Sequence, residues 1–249
     1  MPEIMTVAEL SRRHPRLREP LIDGILRVGE TMNLISASKI GKSWLIASLA
    51  IAVATGRQWL DRFATTQGRV LILDNELHSE TLASRMRAVA AAHRLSLDDL
   101  AIDVVCLRGQ LQDMFALGPF LRSIPRGKYK FIIVDAFYRA VPAGTDENDN
   151  GTMAQIYNHI DAYADHLQAS FALIHHSSKG SQAEKAITDV GSGAGSMSRA
   201  TDTHLVLRPH ETEKVFVLDA AVRSWPPLSP VCLRWECPSW TLAPDEDPT

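Results

Sequence analysis

The chain has 249 residues, with 26 Lys+Arg against 29 Asp+Glu and a formal net charge of −3. That length suits one large domain with a sizeable core, and the charge excludes a strongly basic nucleic-acid binder, so any DNA contact must be local, in a loop or in the central channel of an assembly. The sequence has no run of about 18 uncharged apolar residues, so no membrane-spanning helix is expected. Met1-Pro2-Glu3-Ile4 lacks the basic and apolar regions of a signal peptide. Cys106, Cys232 and Cys237 are odd in number and lack zinc spacing. They are expected as reduced thiols of a cytoplasmic protein.

Residues 1–29 read as an N-terminal arm. Thr6 followed by Glu9 marks a capped short helix. Residues 12–20 are basic and include Pro15 and Pro20, which favours an extended segment. Such an arm packs either on its own domain or on a neighbour, and the sequence leaves both open. Residues 30–243 read as one catalytic domain, and residues 244–249 as an acidic tail.

The first core strand ends at residues 34–36. The loop Ser36-Ala37-Ser38-Lys39-Ile40-Gly41-Lys42-Ser43 follows, and a helix from Lys42 to Ala54, with Trp44 in its first turn, is stopped by Gly56. Strand, loop and helix with Gly-Lys-Ser at the helix mouth make a nucleotide phosphate-binding loop. Backbone N–H groups and the helix dipole attract the anion. Lys42 reaches the β- and γ-phosphates and Ser43 holds Mg²⁺. Residues Ser36 to Trp44 are therefore the expected binding site for Mg-ATP or another nucleoside triphosphate. One position departs from the usual motif: Ser36 stands where the first glycine is expected.

Val70-Leu71-Ile72-Leu73-Asp74 is a continuous apolar run with an acidic end, as in a strand buried on both faces. It delivers Asp74-Asn75-Glu76, and a helix follows over 79–93. From that strand end, the Glu76 carboxylate can orient and deprotonate an attacking water; a plain surface glutamate near a helix start is the alternative. Residues 102–107 read as a strand and 114–123 as a short helix. The next apolar strand, 129–135, delivers Asp135, which together with Ser43 is expected to hold Mg²⁺. A polar connection over 141–151 leads to an amphipathic helix over 153–167. Residues 171–174 form a strand ending in His175-His176-Ser177-Ser178-Lys179. Residues 181–198 are rich in Gly and Ser and read as a mobile loop. Residues 203–207, 215–222 and 231–235 read as three strands of an antiparallel extension. The alternation of β and α segments gives an α/β fold, a mostly parallel sheet flanked by helices. The chemistry-bearing residues gather at strand C-terminal ends, where such sheets bind ligands.

Gly-Lys-Ser, then Asp-Asn-Glu after the next strand, then Asp135, then His-His-Ser-Ser-Lys resembles the RecA-like P-loop ATPases. Residues 147–155 and 175–180 carry a closer resemblance to the hexameric RepA-type replicative helicases of plasmids. This resemblance spans residues 25–236. It implies a RecA-like core, with Glu76 as the catalytic glutamate, Asp135 as the Walker B aspartate and His176 as the γ-phosphate sensor. It makes 179–198 the DNA-contacting loop, with Lys179 and Lys185 as phosphate contacts. An arginine finger from the next subunit falls on Arg199 or on Arg223, where the stretch Ala221-Val222-Arg223 lacks the lysine of the related Lys-x-Arg pair. The implied function is an ATP-hydrolysing ring, a hexameric homo-oligomer moving on single-stranded DNA in replication or recombination. A replication protein or a protein encoded by the same element is the implied further partner. The alternative is an ATP-dependent oligomeric switch or scaffold whose output is a protein partner. A small-molecule kinase is the weakest reading, because no acceptor pocket or lid arginines are legible.

Overall fold

The computed structural model describes residues 3–110, 112–145, 149–177 and 200–248. In chain order it begins with α1 (Val7–Arg13), closed by the expected capping box between Thr6 and Glu9. None of its residues is buried. β1 (Pro20–Ile22) and β2 (Leu26–Arg27) form a small antiparallel hairpin. Its Leu21, Ile22, Ile25 and Leu26 are fully buried, so this part of the stretch read as an arm packs into the core.

There follow β3 (Thr31–Ser36), α2 (Lys42–Thr55), β4 (Val70–Asp74), α3 (Ser79–Ala92) and β5 (Ile102–Cys106). After them come α4 (Gly118–Ser123), β6 (Phe131–Asp135), α5 (Asn150–Leu167) and β7 (Ser170–His176). The chain closes with β8 (Thr203–Pro209), β9 (Val215–Val222), β10 (Val231–Glu236) and β11 (Ser239–Leu242).

The main sheet has the order β11-β10-β9-β8-β3-β7-β6-β4-β5. From β8 through β5 every pairing is parallel; β9, β10 and β11 are antiparallel additions. The expected antiparallel extension is therefore present, with two corrections. β8 itself runs parallel to β3, and β11 adds a strand beyond the three read from sequence. A parallel neighbour needs a long crossover connection, and the segment between β7 and β8 supplies one.

Side-chain alternation divides the core into two layers. Val70, Ile72, Phe131, Ile133, Ala172 and Ile174 face the layer containing α2 and α3. Leu71, Leu73, Ile132, Val134, Phe171 and Leu173 face the layer containing α4 and α5. The same alternation puts Asp74, Asp135 and His176 on the α2 face, at the strand C-terminal ends. Asp74 and Asp135 are direct neighbours in the parallel register, as are Ser36 and His176. α2 is buried from Leu45 through Ala54, as expected for a helix apolar on all sides. Its mouth is thereby fixed against the ends of the strands. No helix among the described residues is long and apolar enough to cross a membrane.

Candidate nucleotide-hydrolysis site

β3 ends in the buried Ser36, and the chain turns through Lys39 (φ 65°) and Gly41 (φ 90°) before entering α2. The left-handed positions fall at these two residues and not at Ser36, so the motif's missing first glycine leaves no strained position there. Gly41 is the N-cap of α2 and offers its first turn no side-chain acceptor. The orphan N–H groups and the helix dipole are thus left for an anion. A Cβ on Gly41 would stand 3.0 Å from Trp235 Cε2 and 3.1 Å from Trp240 Cζ2.

Lys42 is buried, and burial pulls its pKa down to about 8 against the opposing attraction of Asp135 and Glu76. Its Nζ donates to the His175 carbonyl at 2.5 Å and to His176 Nδ1 at 3.1 Å. Asp135 is pushed up to about 7 by burial first, then by Asp74 and Glu76, while Lys42 and the Ser43 hydroxyl pull it back. Its Oδ1 is buried and has no hydrogen-bond partner. An orphaned carboxylate oxygen beside a hydroxyl suits a hard cation. Among the described residues no group of three or more His, Cys, Asp or Glu side chains is arranged for a metal.

Asp74 builds the turn that presents Glu76. Its Oδ1 accepts from the N–H groups of Glu76 at 3.0 Å and Leu77 at 2.7 Å. Burial raises its pKa, and these two bonds hold it down. Asn75 ties the turn to the neighbouring strand end, its Oδ1 accepting from the Ala136 N–H at 2.9 Å. The Glu76 side chain is left 34% exposed, and its Oε2 is 3.9 Å from His176 Nε2.

His176 stands between the lysine and the glutamate. Its pKa is lowered by burial and by Lys42, against Glu76, so the ring is neutral near pH 7. The Lys42 ammonium can only donate, so Nδ1 accepts and the ring proton sits on Nε2, facing Glu76. Ser38 Oγ also lies 3.1 Å from Nδ1, and the Tyr138 ring packs 5.5 Å from the imidazole. His175, on the opposite face, is a core residue. Its Nε2 lies 3.1 Å from Asn33 Oδ1 and 3.2 Å from the Tyr157 hydroxyl, and burial sets its pKa well below the usual histidine value.

The structure does not bring Arg223 to this site. Its N–H donates to the Asp202 carbonyl and its guanidinium lies 3.2 Å from the Asp202 carboxylate. Asp202 in turn accepts from the Thr31 N–H, at the start of β3. Arg223 therefore sits at the N-terminal edge of the parallel strands, across the sheet from the phosphate loop. Lys179, Lys185 and Arg199 lie outside the described residues.

Sequence reasoning passed over Arg108 and Arg139. Arg108 donates to the Glu76 carbonyl at 2.5 Å, and Arg139 to the Asn75 carbonyl at 3.3 Å and the Tyr138 hydroxyl at 2.9 Å. Both follow strand C-terminal ends, Arg108 after the edge strand β5 and Arg139 after β6, and that position was the signal available. They brace the backbone of the turn that presents Glu76. A cavity of about 470 Å³ lined by Asn75, Gln110, Tyr138 and Arg139 adjoins it.

Comparison with known proteins agrees with this geometry. Residues 2–182, which include the phosphate loop, Glu76, Asp135 and His176, match the AAA domain family. An ATPase domain of known structure superposes with a TM-score of 0.63 at 14% identity, over 85% of this chain and 84% of that one. At that identity the likeness shows the fold, the RecA-like core with its antiparallel extension. No curated protein matches the sequence. With the family match covering most of the chain and every motif of the site, the protein belongs to the AAA domain family.

Proposed function

We propose that the chain is an ATP-hydrolysing RecA-like motor, a ring-shaped homo-oligomer of the plasmid RepA helicase type that moves on single-stranded DNA. The observation that carries this reading is the convergence of Lys42, Asp135, Glu76 and His176 at one end of the sheet, in front of the mouth of α2. The loop N–H groups and Lys42 bind the triphosphate. Ser43 and Asp135 would hold Mg²⁺, which would neutralise charge on the triphosphate when bound. Glu76 orients a water and takes its proton as the new O–P bond forms and the bond from the γ-phosphorus to ADP breaks. His176 touches both Lys42 and Glu76, so it registers whether a γ-phosphate is present. Arg223 lies across the sheet from its own loop, so it serves as a finger only from another copy; Arg199 is the other candidate. Lys179 and Lys185 are the proposed contacts to DNA phosphates. Sparse basic residues of this kind give a shallow salt dependence.

The net charge of −3 favours a second reading, an ATP-dependent oligomeric switch or scaffold acting on a protein partner. Hydrolysis assayed with and without single-stranded DNA separates the two. DNA-stimulated turnover supports the motor. Turnover indifferent to DNA, with nucleotide-dependent assembly on a protein, supports the switch.

A further inference from the structure

The end of the chain reaches back to the phosphate loop. Trp240 Nε1 donates to the Gly41 carbonyl at 3.1 Å, across 199 positions of sequence. The same carbonyl accepts from the N–H groups of Trp44 at 3.0 Å and Leu45 at 3.2 Å, the opening bonds of α2. The Trp235 and Trp240 rings stack with centroids 5.0 Å apart, and Trp235 reaches Trp44 at 6.0 Å. A Cβ added to Gly41 would meet both indoles of the β10–β11 hairpin at 3.0–3.2 Å, so a side chain there would have to push the rings aside. Trp240 is 6% exposed and is wedged edge-on against Phe216 of β9.

Gly41 is the residue with most freedom to lose in this loop, and it is held at a φ that few other residues adopt. Its conformation sets where the N–H groups of the loop and of the α2 mouth point. We infer that Trp240 is a positioning residue for nucleotide binding: its indole N–H and ring hold Gly41 in the left-handed conformation that aims the loop at the phosphates. This rests on the loop being a phosphate site. It adds that the antiparallel hairpin at the edge of the sheet clamps that loop, so that nucleotide affinity depends on the C-terminal residues. The tryptophans also become reporters, since an anion settling on the loop changes the surroundings of the indoles touching Gly41.

The experiment measures Mg-ADP binding by calorimetry and tryptophan emission on wild type, Lys42→Ala, Trp240→Phe and Cys232→Ser. Trp240→Phe keeps a ring and deletes one hydrogen bond, so Kd should rise about two- to tenfold while kcat at saturating ATP is unchanged. Cys232→Ser places a hydroxyl in the buried cluster of Val215, Cys232 and Ala243, on the hairpin face away from Gly41 and Trp240, and should lower the melting temperature and leave Kd alone. In wild type, Mg-ADP should shift the tryptophan emission, and Lys42→Ala should abolish the shift. An unchanged Kd in folded Trp240→Phe overturns the inference, as does a Kd that tracks melting temperature equally in both hairpin variants. If Trp240→Phe does not fold, wild type alone decides: heat of binding with no emission change overturns it. Absence of Mg-ADP binding by wild type rejects the phosphate-site reading itself, a different failure.

Discussion

Lys42 Nζ and His176 Nδ1 are 3.1 Å apart, and the same ammonium bonds the His175 carbonyl. The lysine of the phosphate loop is therefore held by the end of β7. Ser36 and His176 are register partners of β3 and β7, so sheet pairing fixes the distance between the loop and His176. A phosphate arriving at the loop competes with β7 for the lysine. His176, released from Lys42, keeps Ser38 and Glu76 as its neighbours. One proton-bearing side chain thus links Lys42, the proposed phosphate-binding group, to Glu76, the proposed general base.

Removing the lysine should separate binding from fold. Lys42→Ala loses the cation facing the phosphates, and its hydrolysis rate should fall by at least about a hundredfold, with weaker nucleotide binding. Phosphate release under saturating ATP measures it. Turnover within a few-fold of wild type would remove the loop from the mechanism.

Glu76→Gln keeps the shape of the side chain and removes its basicity. The variant should bind Mg-ATP and hold it unhydrolysed, with turnover lowered about 10²- to 10⁴-fold. Recovery of intact ATP from the complex after prolonged incubation checks this. Rapid conversion to ADP would assign the general base to another group.

The pKa of Asp135 makes a prediction about stability. Folding raises this carboxyl from near 3.8 to about 7. A group raised in this way favours the native state most below its unfolded pKa, and that advantage is lost as pH rises through the folded value. At pH 8 the buried carboxylate is a cost to the fold. Asp135→Asn should therefore be more stable than wild type at pH 8 without Mg²⁺, by up to ~4 kcal/mol. The gain should shrink between about pH 7 and pH 4, while hydrolysis stays lost at every pH. Chemical denaturation at pH 8 and pH 5 tests this; a less stable variant at pH 8 would show that the carboxylate is well accommodated.

Much of this site was legible in the sequence because its parts come from consecutive local signals. The continuous apolar runs ending in Asp74 and Asp135 announce strands buried on both faces, and Gly41-Lys42-Ser43 between a strand and a helix announces the anion site. Alternation along β7 says that His175 and His176 face opposite ways. Only the packing of α5, through Tyr157, says which of them is structural. Strand direction was less legible. β8 takes its parallel partner from a long connection whose course no local pattern fixes. Arg108 and Arg139 act on backbone carbonyls, and carbonyls carry no sequence signature. The contact of Trp240 with Gly41 joins residues nearly a chain length apart, and no spacing rule reaches that far.

The position of Arg223 gives a prediction about assembly. It is 55% exposed and pairs with Asp202 on the far edge of the sheet. Surface pairs of this kind contribute little stability, about 0–1 kcal/mol. Arg223→Ala should therefore fold normally and bind nucleotide. If it is the finger, the variant loses turnover, and mixing it with Glu76→Gln subunits restores part of the activity at mixed interfaces. Full activity in Arg223→Ala would transfer the role to Arg199.

Whether this site drives the proposed motor on single-stranded DNA is decided by steady-state ATP hydrolysis. Wild type and Lys42→Ala are compared with and without single-stranded DNA, at low and moderate salt. Wild type should show Mg²⁺-dependent turnover that rises several-fold with DNA, falls back as salt increases, and is absent from Lys42→Ala. Turnover that ignores DNA at both salt concentrations would contradict the proposed motor.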